Sequence, residues 1–340
     1  MKEENTRFRL FANTNFSGLR RLVQAGFFFF VLFDGWRFYR FYLWASGNAE
    51  KYVPRPPSVE GFLPISALMS LKKLVLTGQY DQIHPAGLTI FIAALAIGLF
   101  LRKGFCGWIC PVGFTSNLAE WTARKLNILI RLPAWLDYPL LSVKYLLLVF
   151  FLYIIIWKMP LYAIEQFSRT TYNMVADAKM LMFFLDPSIL SLWVMGVLVV
   201  VSFFTRNFWC RYLCPYGGLL GILAMASPFQ VKRQAANCIE CDRCNKVCPG
   251  SIRVSGKEKV LSPECIGCME CVAVCPAEDC LSLSISTKRK ISVFILPVLV
   301  LGVFFLFYLV AQSTGNWNND MPLDVARRLY SIEISGLAHP

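Results

Sequence analysis

Histidine is nearly absent from this chain, and its scarcity excludes the common haem sites. The 340 residues include two histidines, His84 and His339. A b-type haem needs two axial ligands on facing helices, which these two positions do not offer. The C-x-x-C-H sequence that attaches a c-type haem is also missing. We therefore expect no haem in this protein.

Charged residues are also few, which argues against an ordinary soluble protein. They make up 16% of the chain, whereas 56% of the residues are hydrophobic. A helix needs about 20 apolar residues to cross a bilayer, and five stretches approach that length. These stretches lie near residues 20–44, 85–102, 139–157, 187–205 and 291–311. The sequence thus predicts an all-α polytopic membrane protein with about five transmembrane helices.

Acidic residues are the scarcer charged class, and the distribution of the basic ones predicts the orientation. With the N-terminus inside, the inner segments are 1–21, 102–138 and 206–290. They hold 22 of the 34 basic and 11 of the 21 acidic residues, a net charge of +11 against +2 elsewhere. Since basic loops stay on the cytoplasmic side, we predict a bacterial inner-membrane protein with a cytoplasmic N-terminus and a periplasmic C-terminus. No nucleic-acid-binding motif accompanies the basic residues, so no nucleic-acid partner is expected.

Cysteine is abundant, and eight of the 13 cysteines form two copies of one spacing, C-x2-C-x2-C-x3-C-P. The first copy comprises Cys238, Cys241, Cys244 and Cys248, and the second comprises Cys265, Cys268, Cys271 and Cys275. This is the run of bacterial two-cluster ferredoxins, in which the fourth cysteine ligates the other cluster. We therefore assign one [4Fe-4S] cluster to Cys238, Cys241, Cys244 and Cys275, and the other to Cys265, Cys268, Cys271 and Cys248. The segment around them is expected to be a small α+β ferredoxin-like insert in the cytoplasm.

Two other uses of these cysteines fit the spacing less well. Zinc sites favour two separated C-x2-C pairs rather than triplets followed by C-P. Disulfides are disfavoured in a segment that the charge distribution places in the cytoplasm. Cys280 lies outside both runs and is expected to be an ordinary packed thiol.

Four further cysteines form a second repeat, at the ends of two of the apolar stretches. Its members are Cys106, Cys110, Cys210 and Cys214, in two C-x3-C-P-x-G motifs. A C-x3-C pair lies about one helical turn apart on one face. Two such pairs brought together would hold a third metal centre, most simply an iron–sulfur cluster. Two alternatives stay open: a proline turn that carries reduced thiols, and a redox-active disulfide.

The paired C-x3-C-P motifs and the two ferredoxin runs together resemble the polyferredoxin membrane proteins. That family includes NapH-type subunits of periplasmic nitrate respiration and the C-terminal half of NosR-type regulators. CcoG-type cupric reductases are more distant members. The resemblance covers roughly residues 20–310. It implies electron transfer between the quinone pool and a partner redox protein, within a larger respiratory complex.

The quinone site cannot be assigned from a motif, but the loop before the second apolar stretch offers candidates. Tyr80, Asp81 and His84 lie there, and a quinol head group needs nearby proton acceptors. The simpler interpretation is a capped loop with a hydrogen-bonded histidine. Lys144 lies near the end of a predicted helix and is expected to extend to the membrane interface.

These observations predict an order of domains along the chain. They comprise a tail at 1–19, a membrane domain with the duplicated motif at 20–230, the two-cluster domain at 231–287, a last transmembrane helix at 288–311 and a periplasmic tail at 312–340. The predicted function is a membrane-bound electron relay, a subunit of a quinol-oxidising complex without a catalytic acid, base or nucleophile. The alternatives are a regulatory or maturation electron donor for a respiratory metalloenzyme, and a stand-alone cupric reductase.

Overall fold

The computed structural model describes residues 2–130, 132–285 and 289–332, so His339 lies outside the described part. Most of that part is helical. The helices are α1 (Lys2–Ala45), α2 (Pro64–Thr77), α3 (Pro85–Phe100), α4 (Gly104–Trp108), α5 (Pro111–Lys125), α6 (Ala134–Leu152), α7 (Leu161–Ser168), α8 (Thr171–Met174), α9 (Ala176–Leu185), α10 (Ile189–Phe204), α11 (Pro215–Ala224), α12 (Arg243–Val247), α13 (Glu270–Ala273), α14 (Ile295–Ser313) and α15 (Leu323–Tyr330). Turns of π-helix follow at Tyr153–Lys158 and Trp209–Leu213, and short 3-10 helices lie at Pro57–Phe62 and Ala235–Asn237.

Three helical stretches in the described residues are long and apolar enough to cross a membrane. They are Phe16–Ala45, Ala134–Lys158 and Ile295–Ser313. Helices α9 and α10 form a fourth candidate if they act as one span, although they meet at an angle of 77°. Pro187 lies at the break and accounts for it, because proline lacks the N–H that a continuing helix needs. The multi-pass character agrees with the sequence, whereas five spans remains a prediction, since α3 is a shorter apolar helix.

A four-stranded antiparallel sheet forms the α+β insert. Its strands are β1 (Phe229–Arg233), β2 (Lys259–Val260), β3 (Leu281–Ile285) and β4 (Arg289–Ile291), in the order β2-β1-β3-β4. Val231 pairs with Val260 on one side and with Leu283 on the other, and all three side chains are buried. This alternation of buried and open positions holds one face of the sheet against the cysteine-bearing loops.

Two compact units divide the chain. Unit 1 contains Met1–Phe28, Ala94–Leu148 and Leu198–Val303, and therefore every cysteine. Unit 2 contains Phe29–Ala93, Val149–Val197 and Phe304–Pro340. The candidate iron–sulfur sites are thus a property of unit 1 alone.

Candidate iron–sulfur centres

The two ferredoxin runs adopt the same backbone conformation around their second cysteine. In the first run the flanking residues Glu240 and Asp242 have φ of 54° and 55°. In the second run Gly267 and Met269, at the equivalent positions, have φ of 64° and 58°. A left-handed residue between right-handed ones turns successive N–H groups inward, the arrangement that surrounds many Fe–S sites. The repeat in sequence is therefore also a repeat in structure.

Each run shares a cavity with the last cysteine of the other run. Cys238, Cys241, Cys244 and Cys275 line one cavity, and Cys248, Cys265, Cys268 and Cys271 line the second. These are the two sets that the crossed pairing of ferredoxin ligands predicts. In the described residues no three His, Cys, Asp or Glu side chains are close enough to hold a single metal ion. Each set provides four thiols, the number of ligands that a [4Fe-4S] cluster takes.

Cys280, which was expected to be an ordinary packed thiol, is buried at the wall of the first cavity. Its position in the chain follows the second run by five residues, just before β3. It is a neighbour of the first ligand set and would be a fifth thiol for a cluster bound by four.

Burial distinguishes the two sites. Cys248, Cys268 and Cys271 are buried, whereas Cys241 is exposed beside Ile239, whose side chain is 65% exposed. Burial, together with the neighbouring Cys265, raises the pKa of Cys248 to about 11. Such a thiol is protonated at neutral pH unless iron supplies the positive charge that deprotonates it. We name the buried set the inner site and the set containing Cys241 the outer site.

The C-x3-C-P cysteines also come together, at the helix starts that their prolines define. Pro111 begins α5 directly after Cys110, and Pro215 begins α11 directly after Cys214. Proline suits the first helical position, where no intrahelical partner awaits its missing N–H. The Cys214 sulfur accepts a hydrogen bond from the Gly217 amide at 3.2 Å. One backbone amide therefore points at a sulfur of this group, a kind of contact that tunes metal-bound thiolates.

A buried lysine shares this cysteine group. Burial alone would lower the pKa of Lys103, but Cys106 and Glu264, and then the other sulfurs, hold it above its ordinary value. Burial in turn raises the pKa of Cys106 well above its usual range, against the opposing effect of Lys103. Glu264 already pairs with Lys144, so two buried ammonium groups share one carboxylate beside four neutral thiols, and one buried positive charge is left over. Four thiolates around iron would supply the missing negative charge.

The first copy of the C-x3-C motif packs directly on the inner site. The indole N–H of Trp108, between Cys106 and Cys110, donates to the Gly267 carbonyl at 3.1 Å. A methyl group added at Gly107 would lie 2.3 Å from the Ile266 carbonyl oxygen, so only glycine fits this approach. The loop that carries Cys265 and Cys268 therefore rests on the backbone of the first motif.

The second copy holds the other part of the inner site. Arg206 donates to the Cys248 carbonyl at 3.0 Å and to the Lys246 carbonyl at 3.1 Å. The side-chain amide of Asn207 donates to the Pro249 carbonyl at 3.0 Å. Arg102, the equivalent of Arg206 in the first copy, donates to the Val260 carbonyl at 2.9 Å. Both copies thus use a buried arginine, four residues before the first cysteine, to bind backbone of the insert.

Lys144 has a different role from the one its sequence position suggested. The expectation that it extends to the membrane interface is wrong, because the side chain is completely buried. Its ammonium group lies 2.5 Å from a carboxylate oxygen of Glu264, in the loop just before Cys265. The Tyr145 hydroxyl donates to the same oxygen at 3.1 Å. A partner 120 residues away leaves no signal in the local pattern of helix α6.

The three quinone-site candidates lie in unit 2, each with a local partner. The hydroxyl groups of Tyr80 and Thr89 are 2.7 Å apart. Asp81 accepts hydrogen bonds from the Ser70 hydroxyl and from a backbone amide. The Nε2 atom of His84 lies 2.7 Å from the Asn173 carbonyl oxygen and must donate to it. Each of the three side chains has its own hydrogen-bond partner among the described residues, and their role in quinone binding stays a prediction.

His84 belongs instead to a buried ionisable cluster that sequence reasoning missed. Arg55 donates to Glu60 and to Asp177 at 2.7 Å each, and the Tyr330 hydroxyl donates to Asp177 at 2.9 Å. The Nδ1 atom of His84 lies 3.6 Å from Glu60 and has no hydrogen-bond partner. We call these five residues the Arg55 cluster. In the sequence, prolines flank Arg55 and Tyr330 lies in the C-terminal segment. Neither feature indicates that the two residues belong to one cluster.

Comparisons with known proteins agree with the motifs. A family described as a 4Fe-4S binding domain matches residues 83–128 and 185–234, and a 4Fe-4S dicluster domain matches 230–276. YccM of Escherichia coli, named as an electron transport protein, is 39% identical over 307 residues, covering 88% of this chain and 85% of its own. NirI of Paracoccus denitrificans is 32% identical over 58% of this chain and 29% of its own. The ferredoxin-type protein NapH of Haemophilus influenzae is 28% identical over 48% of this chain and 55% of its own. No solved structure matches.

Proposed function

The chain belongs to the polyferredoxin-type family of 4Fe-4S membrane proteins, and from this premise we propose that it relays electrons between membrane quinone and a partner redox protein. The observation that carries the proposal is the packing of both C-x3-C-P copies on the inner site within unit 1. A soluble ferredoxin needs no such attachment. In this chain the attachment joins the inner site to the segments that follow the apolar helices α3 and α10.

The cofactors that we propose are two [4Fe-4S] clusters, held in the inner and outer sites by the crossed sets of four cysteines. A third iron–sulfur centre would be bound by Cys106, Cys110, Cys210 and Cys214, with Lys103 balancing its charge. The clusters would supply one-electron redox steps. The chain would set their potentials through burial and through hydrogen bonds to sulfur.

The packing suggests an order for the proposed centres. The inner site contacts the first C-x3-C motif through Trp108 and Gly107, whereas the outer site has the exposed Cys241 and Ile239. We infer that electrons pass between the C-x3-C centre and the inner cluster, and reach a partner from the outer cluster. No covalent bond forms or breaks when a cluster takes up an electron. Electron transfer therefore requires short distances between the centres and suitable reduction potentials rather than a catalytic acid or base.

The proposed setting is the bacterial inner membrane, with the insert on the cytoplasmic side and the C-terminus in the periplasm. The basic inner segments support this orientation, because cytoplasmic loops are enriched in Lys and Arg. The proposed partners are the quinone pool and further subunits of a respiratory complex. NapH, which is named a ferredoxin-type protein, is similar to part of this chain, and this similarity supports an electron-transfer role within such a complex.

Quinol-driven reduction of the clusters tests the relay. Anaerobically purified protein is mixed with short-chain benzoquinols and naphthoquinols, and cluster reduction is followed by EPR and visible absorption. The proposal expects reduction by at least one quinol class. If intact clusters that accept electrons from dithionite stay oxidised with every quinol tested, the quinone-linked relay is wrong.

An iron determination tests the third centre. Three cubes would give about twelve irons per chain and two cubes about eight. We expect Cys106→Ser to lose the difference together with one EPR signal, while the matched control Cys280→Ser keeps the wild-type iron content. About eight irons in both wild type and Cys106→Ser would contradict a cluster at the C-x3-C-P cysteines.

A further inference from the structure

A cavity in unit 2 adjoins the Arg55 cluster and has no role so far. Its volume is about 220 Å³. The lining residues are Phe41, Tyr52, Pro54, Arg55, Pro57, Asn318, Asn319, Met321, Leu323, Ala326 and Tyr330. Pockets for drug-sized ligands usually exceed about 300 Å³, so this cavity fits a single small ring. Its wall is mainly aromatic and aliphatic, with a few polar groups at defined positions.

Two of those polar groups belong to the cluster and remain able to bind a ligand. The Tyr330 hydroxyl gives its proton to Asp177, so its oxygen can still accept a hydrogen bond. Arg55 lines the cavity and has five N–H donors. Its Nε and one Nη atom donate to Asp177 and Glu60, whereas the other Nη atom is buried without a hydrogen-bond partner, although it lies 2.7 Å from Asp177. The cavity therefore offers both an acceptor and a donor to one ring substituent or to two.

The charge of the cluster restricts what kind of ring can bind. Glu60 and Asp177 carry two negative charges against one positive charge on Arg55, and protonated His84 brings the sum to zero. A charged ligand would leave an uncompensated charge beside this buried cluster and would bind poorly. Phe41 and Tyr52 favour a flat apolar ring, which aromatic side chains pack against well. A neutral ring with oxygen substituents meets both conditions.

We propose that this cavity binds the head group of a quinone or quinol, with the isoprenoid tail outside. The Tyr330 oxygen accepts from the quinol hydroxyl, and the Arg55 guanidinium donates to the quinone carbonyl. This assignment rests on the proposed function, since it gives the quinone of that relay a binding site. The cavity is not the site that the sequence suggested, because Tyr80 and Asp81 do not line it. His84 does not line it either, but belongs to the adjoining Arg55 cluster.

Photoaffinity labelling of the cluster-loaded full-length protein tests the site. The probe is a short-chain azidobenzoquinone, and labelled peptides are identified by mass spectrometry with and without excess unlabelled quinone. We expect competed label in the peptides that contain residues 41–57 and 318–330. Label confined to other segments would overturn the assignment, as would equal competition by an alkylbenzene that has no oxygen.

Equilibrium binding of the same quinone to variants tests the individual contacts. Ala326 is buried at the cavity wall, so Ala326→Phe fills the space and should raise Kd more than about 10-fold. Tyr330→Phe keeps the ring but removes the acceptor, and should raise Kd about 3- to 10-fold. The matched control Tyr162→Phe removes an exposed hydroxyl in the same unit and should leave Kd unchanged. An unchanged Kd in Tyr330→Phe, with that variant folded and its clusters intact, would contradict the proposal.

The site and the relay can fail separately. Quinol reduction of the clusters combined with labelling elsewhere leaves the relay standing and refutes this cavity. Specific labelling here, weakened by Tyr330→Phe, supports the cavity even if no quinol reduces the clusters.

Discussion

The ion pair between Lys144 and Glu264 should be essential for attaching the inner site to the membrane domain. Both side chains are nearly inaccessible, with exposed fractions of 0% and 8%, and their charged atoms are 2.5 Å apart. Lys144→Met leaves the carboxylate buried with the Tyr145 hydroxyl as its remaining donor. Removing one partner of a buried pair typically costs about 3–5 kcal/mol, and we expect the lower end because that donor persists.

Hydrogen exchange measured by mass spectrometry gives the local free energy of opening without unfolding the whole protein. The peptide of interest spans residues 260–268 of the cluster-loaded protein in detergent. A loss of about 3 kcal/mol would increase the opening equilibrium constant by about 100-fold, since 1.36 kcal/mol corresponds to a factor of ten. Peptides from unit 2 should exchange at wild-type rates, because neither residue belongs to that unit.

Two further variants separate charge from packing. In Lys144→Met combined with Glu264→Gln, neither position of the pair keeps a charge and the amide can still accept from Tyr145, so most of the protection should return. Lys290→Met breaks a pair with Asp279, at 3.0 Å, whose members are 55% and 58% exposed. Exposed pairs contribute about 0–1 kcal/mol, so this control should differ little from wild type. Equal exchange in Lys144→Met and Lys290→Met would refute the reasoning.

Two other changes have defined outcomes. Gly107→Ala places a methyl group 2.3 Å from the Ile266 oxygen and should lower the thermal stability of the loaded protein by about 1–3 kcal/mol. In the control Gly256→Ala the methyl group makes an ordinary contact, 3.9 Å from the Arg253 oxygen, and the change should be neutral, so similar melting curves for the two variants would contradict the close approach. Burial alone would lower the pKa of His84, but Glu60 outweighs it, so the pKa is raised above 6.5. Protonated His84 therefore stabilises the fold fully below pH 6.5, and this contribution is lost as pH rises through the raised value. We expect His84→Gln to be more destabilising at pH about 5.5 than in alkaline buffer, because only protonated His84 attracts Glu60 across the 3.6 Å between them. A pH-independent difference would rule out the titration.

Short-range spacing predicted which cysteines lie together in the insert. The C-x2-C-x2-C-x3-C-P runs predicted two crossed sets of four cysteines, and the same sets line the two cavities. Such prediction works because three ligands within seven residues leave the backbone few ways to surround one cluster. The left-handed positions beside Cys241 and Cys268 are local features of the same loops.

Long-range contacts were not predictable from the same patterns. Lys144 looked like a residue at a helix end because its partner Glu264 is distant in sequence. The Arg55 cluster assembles residues from four separate segments, and no periodicity connects Arg55 with Tyr330. A buried charge is recognisable as such only when its counter-charge is known, and tertiary packing supplies that information.

The buried arginines also change the meaning of the charge distribution. Arg102 and Arg206 were counted among the residues that orient the chain, yet both are buried and bind backbone carbonyls of the insert. Their positions repeat in the two C-x3-C-P copies, four residues before the first cysteine. Packing on the inner site is thus sufficient reason for an arginine at each position, whichever side of the membrane the insert occupies. The remaining exposed basic residues, such as Arg243 and Lys246, are the ones whose distribution bears on orientation and on an acidic partner.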